Sequence, residues 1–283
     1  MAAANIALHV GAVPVFADID PRTWCVTAAT IEARLTSRTR AIVPVHTYGN
    51  VCAMDEIVEL GRRRGVCVIE DAAEAFASKF QGKMAGTLGA MGTYSLHATK
   101  TITTGEGGMV VTADEEMWRQ MLLYRSHGMG RTRYWHEVAG HNFRLPNMQA
   151  AMGCAQLEQI ERISAARRRM FATYRRMLGE IQGVTTQYFS PDVDPVPWVV
   201  AVTLDPKAFP QGRDAVMNSM TEARIETRPG FYTPSRMHHL YKTTGPIPAS
   251  DATSDWLVAL PSFASISDEQ IELICSQLAR LRR

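Results

Sequence analysis

The sequence has no long hydrophobic run and no marked excess of either charge. Its 283 residues include 30 Lys and Arg against 28 Asp and Glu, a formal charge of +2. This balance argues against a dedicated nucleic-acid or membrane binder, and no apolar stretch approaches the length of a membrane span. The N-terminus lacks the basic segment and apolar run of a signal peptide, so we expect a cytoplasmic protein.

Cysteine is scarce and forms no CxxC pair. The five cysteines stand at positions 25, 52, 67, 154 and 275. Cysteines spaced this way are typical of small buried side chains in a reducing compartment. We expect burial above all for Cys67 and Cys154, which lie inside apolar stretches.

Two common catalytic patterns are also missing. The histidines show no metal-binding spacing such as HExxH, so no metal site is predicted, and no GxSxG elbow points to a serine hydrolase. Arginine does cluster, at 62–64, 167–169 and 280–283. No aromatic residues alternate with these charges, so we expect solvated helix surface and no nucleic-acid contact.

A strand–helix–strand pattern occupies residues 41–71. An apolar run (41–46) is followed by a helical segment that begins at Asp55 and by a second apolar run (66–69) that ends at Glu70 and Asp71. This order predicts a parallel sheet. Ligands collect at the carboxyl ends of parallel strands, which gives Asp71 a favourable position for binding.

The rest of the chain predicts an α/β protein with two domains. We expect strands at 93–97, 109–112 and 198–204, a helix from Asp114, a long helix from Asn147 past Tyr174, and a last helix opened by the capping box 267–270. A helix that long often bridges domains. We therefore predict a large domain over residues 1–163 with a mostly parallel sheet, and a smaller α/β domain over 164–283.

Lys100 is the strongest candidate for chemistry. It lies between a predicted strand and a run of small, turn-forming residues, where a desolvated amine can act as a nucleophile. A loop lysine is usually only solvated, but Asp71 adds weight. Pyridoxal phosphate (PLP) chemistry needs a lysine that bonds the cofactor and a carboxylate that keeps its pyridine nitrogen protonated.

Ser95 and the nearby glycines complete this segment. The Ser95 hydroxyl can hydrogen-bond a phosphate, or it is simply a half-buried strand serine. Gly105, Gly107 and Gly108 precede a strand and do not link a strand to a helix, so the order excludes a Rossmann or P-loop and favours a tight turn.

Several ordered segments together resemble the DegT/DnrJ/EryC1/StrS aminotransferases, PLP enzymes of fold type I that act on nucleotide-linked keto sugars. The resemblance covers nearly the whole chain. Its anchors are GAVPVFADID (11–20), IVPVHTYG (42–49), IEDAAEA (69–75), SLHATK (95–100), TTGEGG (103–108) and GHNFRLP (140–146).

The resemblance implies a role for individual residues. Lys100 bonds the cofactor and then moves the proton, Asp71 pairs with the pyridine nitrogen, and Glu74 lies beside the cofactor ring. Ser95 binds the phosphate, and Asn142 is offered to it by the neighbouring subunit, which implies a homodimer. An amino acid, glutamate, is the implied amino donor.

Within the family, three segments look most like the perosamine synthases, which aminate a GDP-linked 4-keto-6-deoxymannose. These are TKTITT (99–104), YWHEV (134–138) and IETRP (225–229). His136 and Arg228 are then candidates for contacting the sugar nucleotide, with exposed loop side chains as the alternative.

Family members begin about half a domain earlier, with a Gly-Thr-Ala-type phosphate loop and an aromatic residue that stacks on the cofactor. The resemblance therefore implies an N-terminally truncated chain with an incomplete sheet edge. Two alternatives stay open: a catalytically inactive homologue that serves as a dimerisation or regulatory module, and another fold-type-I activity such as a lyase or desulfurase. The latter needs a reactive cysteine, and the Lys100 segment has none.

Overall fold

The computed structural model describes residues 1–243 and 245–283. The helices of that part are α1 (Ala2–His9), α2 (Ala28–Glu32), α3 (Met54–Arg64), α4 (Glu115–Arg125), α5 (Asn147–Leu157), α6 (Ile160–Leu178), α7 (Arg213–Glu222), α8 (Pro248–Trp256) and α9 (Asp268–Arg280). Its strands are β1 (Ala41–Ile42), β2 (Cys67–Asp71), β3 (Lys79–Phe80), β4 (Lys83–Met84), β5 (Met91–Ser95), β6 (Gly108–Val111), β7 (Val184–Thr186), β8 (Val193–Asp194), β9 (Val200–Leu204), β10 (Arg228–Pro229) and β11 (Leu257–Leu260). None of the described helices is long and apolar enough to cross a membrane.

The first sheet carries the predicted strand–helix–strand unit. Its order is β1-β2-β5-β6, in which β1, β2 and β5 run parallel and β6 is antiparallel to β5. The helix α3 connects β1 to β2 and buries Ile57 and Leu60 beside Val68 of β2. The predicted mostly parallel sheet is confirmed, and β2 ends at Asp71 as expected.

The C-terminal half builds a second, antiparallel sheet of order β10-β11-β9-β7. The helices α6, α7 and α9 cover it through Tyr174, Met220 and Leu278, and Phe209 of the loop before α7 joins them; all four side chains are fully buried. A small third sheet pairs β3 with β4 and β8. The last helix begins with the predicted capping box between Ser267 and Gln270.

A third apolar cluster lies between the two main cores. Trp24 and Tyr48 belong to it together with Ala201 of β9 and Leu257 of β11, and Trp198 packs against it. This cluster connects the edge of the parallel sheet to the C-terminal sheet. It therefore places Trp198 close to the carboxyl ends of β2 and β5.

The long helix predicted from Asn147 is two helices. The chain leaves helical geometry at Gln159 (φ −111°, ψ 14°), so α5 ends before α6 begins. Asn147 is the first residue of α5 and does not cap it, since Pro146 holds the cap position. The predicted boundary between residues 163 and 164 falls inside α6, and the division into two domains stays a prediction.

Two predictions about burial were wrong. Cys154 is exposed and Cys67 is half-buried, because α5 and the start of β2 leave those positions near the surface; Cys25, Cys52 and Cys275 are buried. Arg167 is not solvated helix surface. The Arg167 side chain is buried, and its guanidinium donates a hydrogen bond to the carbonyl of Trp198 at 2.9 Å.

Candidate active site

Lys100 lies in the loop that follows β5, between that strand and the turn-forming run. Its Nζ is 3.8 Å from Oε1 of Glu74 and 3.5 Å from the centre of the Trp198 ring. The side chain is only 13% exposed. The amine is therefore held between a carboxylate and an aromatic face, largely out of water.

Glu74 lies in a turn three residues after the end of β2. While one carboxylate oxygen faces Lys100, the other accepts the backbone N–H of Tyr48 at 3.0 Å. Tyr48 adopts a left-handed backbone (φ 59°), a conformation uncommon for a residue with a large side chain. This conformation belongs to the turn whose amide meets Glu74.

Asp71 ends β2 at the carboxyl edge of the sheet, as predicted. Its Oδ1 accepts the backbone N–H of Ala73 at 3.1 Å, and its side chain is half-buried. Its charge acts on both Lys100 and Glu74. The structure therefore brings Asp71, Glu74 and Lys100 together at one edge.

Burial dominates the ionisation of this group. It raises the pKa of Glu74 to about 7, although Lys100 and the Tyr48 amide both favour the carboxylate. Burial likewise lowers the pKa of the Lys100 amine, against the opposing effect of Glu74 and Asp71. Desolvation disfavours the charged form of each group. Both pKa values thus move toward the range in which proton transfer near neutral pH is efficient.

Trp198 reaches this site from the segment before β9. Its backbone N–H donates to the carbonyl of Tyr48 at 3.2 Å, and its indole N–H donates to the carbonyl of Thr99 at 2.6 Å. The Tyr48 ring stacks with the rings of both Trp198 and Phe231, with centroid distances of 6.3 and 5.5 Å. Sequence reasoning missed both Trp198 and Tyr48. The loop position of Tyr48 after the first apolar run was the available signal for Tyr48.

Ser95 is the last residue of β5, and its Oγ accepts the backbone N–H of His97 at 3.3 Å. Gly105 and Gly107 adopt positive φ angles of 79° and 136°. These glycines lie in the connection from the Lys100 loop to β6, so the predicted tight turn is present.

The other candidates lie on the surface. Asn142 is exposed and its Oδ1 accepts from Arg144 at 3.2 Å. His136 is exposed, and its Nδ1 contacts the carbonyl of His127 at 2.7 Å. Arg228 is exposed and pairs with Glu226 at 2.9 Å. The contacts found for these three side chains run to their own neighbourhoods and not to Lys100.

A second polar pair was also missed, but it is structural. His46 is fully buried, and its Nε2 lies 2.9 Å from Glu70 Oε2. Burial acts to raise the pKa of Glu70, but bonds from His46 and the amides of Gly89 and Gly86 hold it below its ordinary value. The pair anchors the turn before β5, and its 24-residue separation hid it from sequence patterns.

Comparison with known proteins decides the family. The profile of the DegT/DnrJ/EryC1/StrS aminotransferase family matches residues 1–279. The chain belongs to this family. Its members are PLP-dependent sugar aminotransferases, so the protein is an aminotransferase that uses PLP, as the sequence predicted.

Individual family members agree in sequence and in fold. The GDP-perosamine synthases of Escherichia coli O157:H7 and Caulobacter vibrioides are each 38% identical to this chain, over 98% of it and 75% and 76% of their own lengths. The crystal structure of Helicobacter pylori PseC, an aminotransferase involved in pseudaminic acid biosynthesis, superposes with a TM-score of 0.94 at 26% identity. That match covers 99% of this chain and 76% of PseC. The chain thus spans about three quarters of the length of these relatives.

The donor set fits the cofactor of this aminotransferase family. PLP needs an amine that can bond its aldehyde and a carboxylate that can face its pyridine nitrogen. Lys100 supplies an amine with a lowered pKa. Asp71 supplies a half-buried carboxylate; its Oδ1 accepts the Ala73 amide, so Oδ2 is the oxygen that can face the ring nitrogen. Among the described residues no group of three or more His, Cys, Asp and Glu side chains is arranged for a metal ion.

Proposed function

We propose that this protein transfers the amino group of glutamate to the keto carbon of a nucleotide-linked 4-keto-6-deoxyhexose. The observation that carries the proposal is the Lys100 amine beside Glu74 and Asp71 at the carboxyl edge of the parallel sheet. The 38% identity to two GDP-perosamine synthases supports a GDP-linked sugar as the first substrate to test. The net reaction converts glutamate and the keto sugar into 2-oxoglutarate and the amino sugar.

Bound PLP supplies the electron sink that makes the reacting carbon acidic. Lys100 is the residue that would hold it covalently and carry the proton at Nζ, and Asp71 would face the ring nitrogen. Glu74 would lie beside the ring, and its carboxylate positions the Lys100 amine when that amine is free. The Ser95 hydroxyl would bind the phosphate. His136 and Arg228 remain candidates for contacts with the sugar nucleotide.

A homodimer is part of the proposal. The segment from 127 to 152 leaves large apolar side chains in contact with water, and an exposed apolar patch of this kind marks an interface. These side chains are Tyr134, Trp135, Phe143, Met148 and Met152. Asn142 lies within the same segment and is exposed. A second copy of the chain that covers this surface would receive Asn142 at its own phosphate site.

Cofactor binding tests the Lys100 assignment. We expect purified protein with added PLP to show the visible absorption band of the bound cofactor. Lys100→Ala removes the amine and with it the band, whereas Lys207→Ala, which alters an exposed lysine near β9, keeps it. Protein that stays colourless with excess PLP would support the inactive homologue instead.

Turnover tests the substrate class. We expect mass spectrometry to detect an amino sugar, with 2-oxoglutarate in equal amount, when glutamate and GDP-linked 4-keto-6-deoxymannose are supplied. UDP- and TDP-linked keto sugars are tested in parallel as alternative substrates. A visible band together with turnover of only a UDP- or TDP-linked sugar contradicts the GDP assignment and keeps the aminotransferase.

A further inference from the structure

Four contacts close a ring around the Lys100 amine. The amine faces Glu74 at 3.8 Å, Glu74 accepts the N–H of Tyr48 at 3.0 Å, and the carbonyl of Tyr48 accepts the N–H of Trp198 at 3.2 Å. The Trp198 ring then lies 3.5 Å from the amine. Glu74 and Trp198, which are distant in sequence, thus meet at the Lys100 nitrogen, and the backbone of Tyr48 links the two residues.

Besides its contact with the Lys100 amine, Trp198 is held by hydrogen bonds of its side chain and of its backbone. Its indole N–H holds the carbonyl of Thr99, the residue before Lys100, at 2.6 Å. Its own carbonyl accepts from the buried Arg167 of α6 at 2.9 Å. The backbone of the preceding residue, Pro197, packs against Gly49, where a Cβ would lie 2.6 Å from Pro197 Cα. The backbone of Trp198 is therefore fixed, and turning the ring away breaks the hydrogen bond from its indole N–H to Thr99.

From this geometry we infer that Trp198 is a positioning residue for Lys100: its ring face receives the free amine, and its indole N–H fixes the loop that carries it. An aromatic face attracts an ammonium group, most strongly where water is excluded. Glu74 and the ring thus offer the amine one defined position whenever it is not bonded to the cofactor. The role of Trp198 rests on the proposed function of Lys100.

The other charged groups around the amine do not replace Trp198. Glu74 and Asp71 approach from the segment that ends and follows β2. His97, in the Lys100 loop, pairs with Glu106 across 3.8 Å at the surface, and Arg167 faces the backbone of Trp198. We expect all of these groups to stay in place when the indole is replaced, because the contacts named for them do not involve the ring. A change seen in a Trp198 variant thus reports on the indole.

Two variants separate the ring face from the indole N–H. Trp198→Phe keeps an aromatic face and loses the donor, and Trp198→Leu loses both. Trp118→Leu, on the exposed side of α4, is the matched control. Circular dichroism and thermal unfolding establish that each variant is folded. An unfolded Trp198→Leu leaves Trp198→Phe and the kinetic measurement below to decide.

The first measurement uses cofactor-free protein, so it is independent of turnover. The modification of Lys100 by an amine-acylating reagent is followed against pH by peptide mass spectrometry. Loss of the aromatic face removes an interaction that favours the protonated amine. We expect the midpoint to fall by about half a pH unit or more in Trp198→Leu. It should stay near the wild-type value in Trp198→Phe and in Trp118→Leu.

The second measurement uses enzyme loaded with PLP. Loss of the indole N–H loosens the Lys100 loop without altering the substrate surface, so kcat should fall about fivefold in Trp198→Phe with KM for glutamate unchanged. Three results would overturn the inference. The pH midpoint of Lys100 modification could be unchanged or raised in a folded Trp198→Leu, or it could fall equally in Trp198→Phe and Trp198→Leu. In the kinetic measurement, Trp198→Phe could change KM alone. Absence of PLP binding in the wild type instead contradicts the proposed function and leaves the midpoint comparison intact.

Discussion

Glu74 and Lys100 are both removed from water, so burial acts against the charged form of each. Their mutual attraction offsets part of this cost. The carboxylate keeps a pKa of about 7, above its ordinary value of 4.5, because desolvation exceeds the effect of Lys100 and of the Tyr48 amide. A buried acid that titrates near neutrality must make the stability of the fold depend on pH.

Glu74→Gln tests this dependence. In the wild type the folded state retains the Glu74 proton between pH 4.5 and 7 while the unfolded state has lost it, so the free energy of unfolding falls as pH rises through that window. Glutamine never ionises and still offers an oxygen to the Tyr48 amide. We expect urea unfolding of cofactor-free protein to show that the free energy of unfolding of Glu74→Gln, relative to that of the wild type, rises progressively from pH 5 to 8, by about 1 to 3 kcal/mol in total.

A matched control is Glu59→Gln, which removes an exposed carboxylate of α3 paired with Arg62 at 2.8 Å. Its unfolding free energy should run parallel to that of the wild type above pH 5, since surface ion pairs contribute little. Parallel profiles for Glu74→Gln and the wild type would show that Glu74 does not titrate in this window.

At the residue scale the sequence indicated local features of the chain better than tertiary contacts. The strand that ends at Asp71 and the turn-forming run after Lys100 were visible as local patterns, because both depend on neighbours in the chain. The contact between Lys100 and Trp198 joins residues 98 positions apart, and no local pattern encodes it. The pair of His46 and Glu70 escaped for the same reason.

At the scale of the elements, the segment 47–49 is in close contact with residues 196 and 197, which lead into the C-terminal sheet. Gly49 adopts φ 101°, and a Cβ there would lie 2.6 Å from Pro197 Cα and from the Val196 carbonyl oxygen. Ser78 adds a bond to the Gly49 carbonyl at 2.8 Å and accepts the Val196 amide at 2.9 Å. The backbone of one segment thus packs directly on the other.

Gly49→Ala should therefore separate the two segments. We expect a loss of about 2 to 4 kcal/mol in the free energy of unfolding, from a left-handed backbone and from the clash together. Gly82→Ala is the control, because Gly82 has φ 78° but open space around its Cβ position; it should cost only about 1 kcal/mol. Equal losses in urea unfolding of the two variants would mean that the close approach to Pro197 is not important.

Element prediction from sequence was sound for the strand–helix–strand unit, which apolar periodicity indicates, and for the start of α9, which the capping box indicates. It failed at the junction of α5 and α6, where apolar positions continue across the break at Gln159. The break depends on how each helix packs, and spacing along the chain does not report it.

At the scale of the whole molecule, the large apolar side chains between Tyr134 and Met152 are exposed and belong to neither of the two main buried cores. Met148 on α5 is 83% exposed and Phe143 is 72% exposed. Burial of such side chains by a second copy would stabilise a dimer through the hydrophobic effect. The same contact would bring Asn142 of one chain toward the site of the other.

Mixing two inactive variants tests whether that site is shared. Lys100→Ala and Asn142→Ala should each lose most activity alone. If Asn142 serves the other chain, reassorted mixed dimers contain one intact site, and the mixture should recover about a quarter of wild-type activity, since about half of the dimers are mixed. Lys100→Ala mixed with Asp71→Asn should recover nothing, because Asp71 and Lys100 meet within one chain. Native mass spectrometry verifies the mixed dimers, and their presence without recovered activity would assign Asn142 to its own chain or to no site.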